Sequence, residues 1–513
     1  MKIARTKNAV RNIIYGTLFK CVGIVCPFAV RTVMLYVLGS EYVGLNSLFT
    51  SVLSFLSLAE LGIGSALVYS MYKPIAEDDV ATVNAIYALY RRLYRLIGCI
   101  ILVIGLALIP FLPRLVKSGL PADVNLYALY LVYLFNTVIS YQMYAYKQSL
   151  LMAYQRSDII SKRSLIIQLS MYAVQIAVLV LVRNYYVYIL WLPVSTIETN
   201  VANKIIVDKM FPQYRCEGQV SREMERSIRK KVIALFGTKA NSIVLHATDN
   251  IVISAFLGLV VVARYGNYYY IMNAVIGIMT IVYSSLTAGL GNSLVTESRE
   301  KNYSDFKTLS FLNAWLVMFC SVCLLCLYQP FMQIWVKEKN MFGMDIVFLL
   351  VVYFYVYQIR RIVLTYKDAA GIWWEDRFRP YVVMFTNLTL NILLCQVIGL
   401  YGIILSTVVS MLISIPWENY TVFKYIFQRG SGAYYARMGK YLLSTVCICG
   451  LTWIICSRMA GGVLGLAARL LVCGLLSNLL WLLLYARSAE ARRVRQLALR
   501  YCGRYLGRNQ KGD

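Results

Sequence analysis

Long apolar runs separated by short clusters of basic residues dominate this chain. Stretches near the roughly 20 residues that a helix needs to cross about 30 Å of hydrocarbon fall at 13–38, 43–72, 94–113, 124–146, 164–183 and 185–207. A polar break from Asp208 to Lys231 follows, and eight more stretches lie near 232–258, 262–291, 308–329, 344–366, 380–399, 402–427, 440–457 and 463–485. In lipid every backbone polar group must be satisfied internally, which leaves helices and closed barrels as spanning structures. Runs of this length read as helices. The pattern therefore predicts an all-α polytopic membrane protein with about fourteen spans and no water-soluble domain. Its expected divisions are an N-terminal lobe (1–207), a cytoplasmic linker (208–231), a C-terminal lobe (232–427), two further spans (428–485) and a basic cytoplasmic tail (486–513).

Composition agrees. The 513 residues are 59% hydrophobic and 15% charged, against roughly 25% charged in soluble domains. A basic start, Met1 to Asn8, leads into an apolar run too long for a secretory h-region and without a small-residue cleavage pattern, so it reads as an uncleaved first span. The formal charge of +27 does not point to nucleic acid, because Lys and Arg sit in clusters between apolar runs and not on one soluble face. Of the 51 Lys and Arg residues, 40 fall in alternate segments that include both termini, 7 in the intervening segments and 4 within spans. The positive-inside rule then makes both termini cytoplasmic. Outside loops are short, with no room for an external catalytic domain.

Thirteen cysteines are present, many inside apolar runs. Cys320, Cys323 and Cys326 line one helical face, but the single His lies elsewhere, so small apolar filler is the expected role. No metal site, cofactor or disulfide is expected.

A faint internal repeat links Arg31 to Asn46 (RTVMLYVLGSEYVGLN) with Asp249 to Asn267 (DNIVISAFLGLVVVARYGN). Each has an apolar run ending in Leu-Gly and a Gly-x-Asn or Gly-Asn start to the next helix. Each next helix ends in a glycine-bearing stretch, LGIGSALV from Leu61 and LGNSLV from Leu290. A chance match of apolar segments is one explanation. The other is two pseudo-symmetric six-helix lobes around a central cavity, with two C-terminal helices appended.

Ionisable groups at bilayer depth cost at least about 2.5–3.5 kcal/mol each and normally face a bundle interior or wet cavity. Lys20 and Arg31 lie eleven residues apart on the first span, close to three helical turns and so on one face. The second span carries Asn46, Thr50, Ser54 and Ser57 leading to Glu60. The seventh carries Lys239, Ser242, His246 and Asp249. These three helices are expected to share a polar lining, to which Glu198 and Asn200 on the sixth span, Asn273 on the eighth, and Asn387 and Asn391 on the eleventh would add. The competing reading is that such groups only bond helices together; for His246, packing and a proton relay stand side by side. Asn84 to Arg95 (NAIYALYRRLYR) and the basic tail read as interfacial helices on anionic lipid, with binding of a phosphorylated head group as the other reading.

No Gly-rich phosphate loop, metal set or Ser/His/Asp arrangement can be assembled. An ion gradient is the simplest energy source, since ATP would require a partner protein, and no enzyme activity is expected. The run from Leu38 to Pro74, LGSEYVGLNSLFTSVLSFLSLAELGIGSALVYSMYKP, and TDNIVISAFLG from Thr248 resemble the polysaccharide-biosynthesis oligosaccharide flippases (Wzx type) of the multidrug/oligosaccharidyl-lipid/polysaccharide exporter (MOP) superfamily. The resemblance implies transfer of an undecaprenyl-diphosphate-linked oligosaccharide from the cytoplasmic to the outer leaflet of the bacterial inner membrane by alternating access. Polysaccharide polymerases and glycosyltransferases would be its partners, beside membrane lipid. Lys20, Arg31 and Lys239 would lower the cost of carrying the diphosphate. Glu60, Asp249, Glu198 and His246 would balance those charges or titrate with a coupling proton, and Asn46, Asn273, Asn387 and Asn391 would add a polar lining. The appended spans, with Arg469 and the run GGVLGLAA from Gly461, would offer a groove for the lipid tail. The alternative is an ion-coupled multidrug exporter of the same fold, which for organic cations should have an acidic cavity.

Overall fold

The computed structural model describes the backbone of residues 5–60, 62–496 and 499. It describes their side chains except those of residues 5–14, Thr17, Ala59, Ala234, Leu235, Thr238, Ser242, His246 and Ala288. All regular structure among the described residues is helical. In chain order the helices are α1 (Arg5–Val37), α2 (Ser40–Leu56), α3 (Ile63–Ala76), α4 (Val80–Leu108), α5 (Leu126–Gln142), α6 (Gln148–Ala153), α7 (Ser157–Leu181), α8 (Tyr185–Met210) and α9 (Arg222–Leu257). There follow α10 (Leu259–Thr296), α11 (Arg299–Val336), α12 (Met344–Ile359), α13 (Arg361–Ala370), α14 (Arg379–Ile398), α15 (Leu400–Val422), α16 (Gly432–Ser457) and α17 (Gly462–Tyr485).

Each of the fourteen apolar stretches lies on one helix or on two consecutive ones, and eleven helical segments among the described residues are long and apolar enough to cross a membrane. Of the others, α2 and α5 have 17 residues each, about 25 Å at 1.5 Å per residue, which is short for a full crossing. Loop residues set the helix starts. The carboxylate of Asp79 accepts the Thr82 amide at 3.0 Å before α4, and Asn125 and Asn184 accept the first amides of α5 and α8. Those bonds satisfy donors that the helix itself cannot, and the bonds with Thr82 hold the Asp79 carboxyl below its ordinary value.

The chain divides into two compact units, Met1–Gly266 with Leu388–Leu400, and Asn267–Asn387 with Tyr401–Asp513. The seventh apolar stretch, on α9, thus groups with the first half, where an opening of the second lobe at residue 232 was expected. Its C-terminal end is bonded to the loop after α4: Lys117 N donates to Ser254 O at 3.2 Å, Leu259 N to Ser118 O at 3.1 Å, and Lys117 Nζ to Phe256 O at 2.6 Å.

The two Leu-Gly sites of the repeat share a backbone turn. Gly39 has φ +115° and ψ 175°, Gly258 φ +91° and ψ 170°, a region open essentially to glycine alone. Each amide also bonds the carbonyl five residues back, Gly39 to Met34 at 3.2 Å and Gly258 to Ile253 at 3.0 Å. Further along, the two copies diverge. The second stretch, expected as one span over 43–72, is broken: α2 ends at Leu56, a 3-10 turn covers Ser57–Glu60, and Gly62 is left-handed (φ +85°) before α3. Its counterpart from Leu290 stays within the unbroken α10.

Gly258→Ala is expected to destabilise the protein by about 1–3 kcal/mol, because the new Cβ would also meet Ser118 Oγ at 2.3 Å. Gly461→Ala, at φ −73° with open space around it, should leave the thermal unfolding midpoint in mild detergent nearly unchanged.

Candidate functional site

The break between α2 and α3 opens onto a polar cavity in the first unit. Irregular backbone at membrane depth is tolerated where it is buried in protein or lines a water-filled cavity, and here Glu60, Gly62, Gly64 and Ser65 line a space of about 420 Å³ with Tyr90, Tyr94, Tyr141, Gln148 and Lys239. Glu60 accepts hydrogen bonds from Tyr94 Oη and, at 2.8 Å, from Tyr141 Oη. Tyr90 Oη donates onward to Tyr94 Oη at 3.2 Å. Lys239 reaches across from α9 and donates to Ser65 Oγ at 3.1 Å. One predicted cation and one predicted carboxylate, from different spans, therefore meet in one cavity.

Two further clusters occupy the same unit. The guanidinium of Arg31 donates to Ser47 Oγ at 3.4 Å and to the Ala263 carbonyl at 3.1 Å, tying α1 to α2 and to the start of α10. Gly266 makes room for it, since a Cβ there would stand 2.6 Å from Arg31 Nη2. Asp249 is buried and accepts Asn391 Nδ2 and Tyr265 Oη, each at 3.0 Å. Asn250 beside it donates to Ser51 Oγ on α2 at 2.9 Å, so polar contacts run from α1 through α2 to α9. The described bonds to Glu60 and Asp249 come from neutral hydroxyl and amide groups, where the expectation was that they balance the cations or titrate with a coupling proton.

Other expected residues have separate surroundings. Asn46 accepts from Tyr133 Oη at 2.5 Å, and Asn387 donates to Thr407 Oγ1 at 3.0 Å within the second unit. Lys20, Glu198 and Asn273 are exposed, and among the described residues none of the three enters a polar cluster. The side chains of His246 and Ser242 lie outside the described residues. Arg469 clamps a helix end: its guanidinium donates to the carbonyls of Cys456 (3.0 Å), Met459 (2.7 Å) and Ala460 (3.1 Å), closing the end of α16.

A charged network in the second unit escaped the sequence reading. Glu418, fully buried on α15, accepts from Arg360 at 3.0 Å, Arg379 at 2.9 Å and Ser414 at 2.6 Å. Arg379 also binds Asp376 at 2.8 Å, and Asp376 binds Lys367. Three cations thus share two carboxylates. The signal was present, since Glu418 and the pair Arg360-Arg361 each sit inside an apolar stretch, but the sequence does not show that they meet.

The second unit also holds an apolar cavity of about 650 Å³ lined by residues such as Val351, Leu412, Val446 and Trp453, with Arg360 and Asn419 among its few polar members. It belongs to α11, α12, α15 and α16, whereas Gly461 and Arg469, where the lipid groove was expected, line a smaller one of about 310 Å³. Cys326, Cys456 and Cys473 are buried with sulfurs within 4.8 Å of one another, a set whose soft ligands would suit a thiophilic cation but which equally fills a helix interface.

No protein-family model matches the sequence, and no curated protein matches it either. Solved structures do. The lipid II flippase MurJ, in an inward closed conformation, superposes with a TM-score of 0.67 at 11% identity, covering 92% of this chain and 99% of its own. An inward-facing multidrug resistance MATE family transporter of the MOP superfamily gives 0.60 at 13% identity, over 79% of this chain and 97% of its own. The fold is that of the MOP-superfamily transporters. A third structure with the MOP fold, a transporter from Pyrococcus furiosus described by a binding pocket of reversed polarity, gives 0.54 at 12% identity over 83% of this chain and 97% of its own.

Within this MOP fold, Glu418→Ala leaves Arg360 and Arg379 buried without their shared acceptor and is expected to cost about 3–5 kcal/mol. Removing Lys301 from its exposed pair with Glu297 should change stability by about 1 kcal/mol or less. Thermal unfolding of both variants in the same detergent checks the contrast.

Proposed function

We propose that the protein is a flippase that carries an undecaprenyl-diphosphate-linked oligosaccharide from the cytoplasmic to the outer leaflet of the bacterial inner membrane by alternating access, with both of its termini in the cytoplasm. The observation that carries this reading is the cavity at the helix break, where Lys239 and Glu60 meet among Tyr90, Tyr94, Tyr141, Ser65 and Gln148. Hydroxyl and amide groups can exchange donor and acceptor roles with sugar hydroxyls, tyrosine rings offer flat apolar faces, and an ammonium offsets the charge of a diphosphate. In this reading Arg31 is a second cation for the anionic head group, and Asp249 loads the coupling ion. The apolar cavity of the second unit would take part of the prenyl tail. The resemblance of the run from Leu38 to Pro74 to oligosaccharide flippases supports the substrate class, and the larger share of this chain covered by a lipid flippase than by a MATE transporter is in keeping with it. A polysaccharide polymerase and glycosyltransferases would act before and after it.

Reconstitution into vesicles with a fluorescent undecaprenyl-diphosphate oligosaccharide tests the proposal. Wild type should move the lipid between leaflets. Lys239→Ala, which removes one charged hydrogen bond of about 1.5–3 kcal/mol, should slow that movement at least about tenfold at the same folded amount. Failure to move any lipid-linked glycan, together with efflux of an organic cation, would replace this reading with the drug-exporter alternative.

A further inference from the structure

We infer that a second site, built at the start of α7, binds the phosphate of an anionic membrane lipid. It lies within the first unit and does not depend on the substrate reading. Arg163 is 7% exposed; one terminal nitrogen donates to Gln148 Oε1 at 3.4 Å and Ser164 Oγ at 3.2 Å, while its Nε and Nη1 are buried with no hydrogen-bond partner among the described residues. A guanidinium cannot shed its proton to escape this, and an unmet buried charged donor carries its full desolvation cost. An acceptor with several oxygens is therefore the missing partner.

The surroundings say which kind. Arg163 borders a cavity of about 610 Å³ whose wall also contains Arg156 and Lys162. The single carboxylate among the described residues of that wall, Asp158, is engaged with Arg156, which donates to it through Nε at 3.0 Å and Nη2 at 3.2 Å. Three cations against one carboxylate leave the cavity positive, and the planar fork of Arg163 matches two phosphate oxygens. Apart from Tyr15 on α1, whose ring lies beneath Lys162 Nζ, the rest of the described lining is hydrocarbon: Ile159, Ile166 and Ile167 on α7 and Ala202 and Ile206 on α8. A free anion has no use for an apolar wall, whereas a lipid fills both halves at once. Depth agrees as well. Arg163 is the seventh residue of a helix apolar enough to span a bilayer, about 9 Å from its start, where a phosphate head group meets the acyl region. The volume falls in the range of small-ligand pockets, enough for a head group and the first carbons of its chains.

The test uses the full-length protein, stripped of lipid in a neutral detergent, with phosphatidylglycerol, phosphatidylcholine and inorganic phosphate as probes. Binding is read as adducts in native mass spectrometry and as shifts in the thermal midpoint. Phosphatidylglycerol is expected to give a one-to-one adduct that raises the midpoint, phosphatidylcholine a weaker one, and inorganic phosphate no shift at millimolar concentration. Arg163→Gln should weaken phosphatidylglycerol binding at least tenfold. Lys162→Gln, at an exposed side chain, should weaken it severalfold without threatening the fold. Equal binding by wild type and both variants would overturn the site. A shift with inorganic phosphate equal to that with phosphatidylglycerol would overturn the lipid assignment in favour of a free anion.

Discussion

A charged side chain inside hydrocarbon costs at least about 2.5–3.5 kcal/mol, and how this chain meets that cost organises everything else described above. In the second unit the charges answer each other: Arg360, Arg379 and Lys367 surround Glu418 and Asp376, an arrangement whose attraction works against the cost of desolvation, while Glu418 Oε2 and Arg360 Nε have no hydrogen-bond partner among the described residues. In the first unit, beside ion pairs such as Arg156 with Asp158, four charges meet neutral groups. Glu60 is held by tyrosines, Asp249 by an amide and a tyrosine, Lys239 by a serine, and Arg31 by a serine and a carbonyl. The first pattern binds helices together. The second leaves charge available for something that comes and goes, which is what a carrier of an anionic head group needs.

The helix break follows from the same constraint. Ser57–Glu60 and Gly62 would expose unsatisfied backbone if they faced lipid; Glu60 and Gly62 line a cavity that also contains Lys239. The chain thus concentrates irregular backbone, tyrosine hydroxyls and a separated ion pair at one place on the α2–α3 and α9 helices. Selectivity for a sugar-bearing lipid over an organic cation would arise there, from the number of exchangeable hydroxyls and from the sign of the charge.

Much of this was legible in the sequence because helices in lipid must be apolar for about 20 residues at a stretch. The apolar runs located the helices, and the Leu-Gly pairs located two turns that only glycine adopts. Glu60, Lys239, Arg31 and Asp249 stood out because charge in an apolar run is costly. Two things were not legible. Pairing across helices depends on packing that no periodicity encodes, so the partners of Asp249, Tyr265 and Asn391, surfaced only in three dimensions. Helix-end contacts were hidden as well: Glu418 meets Arg360 and Arg379 from 58 and 39 residues away, and the carbonyl partners of Arg469 at the end of α16 lie nine to thirteen residues back in sequence.

The most direct test of the central claim is cross-linking from inside the helix-break cavity. A photoreactive amino acid in place of Ser140, whose parent residue lines that cavity, would be irradiated in membranes containing radiolabelled undecaprenyl-diphosphate oligosaccharide. The account predicts a labelled adduct that excess unlabelled glycolipid removes and an organic cation does not. Labelling that is absent, or that an organic cation suppresses while the glycolipid does not, would contradict it.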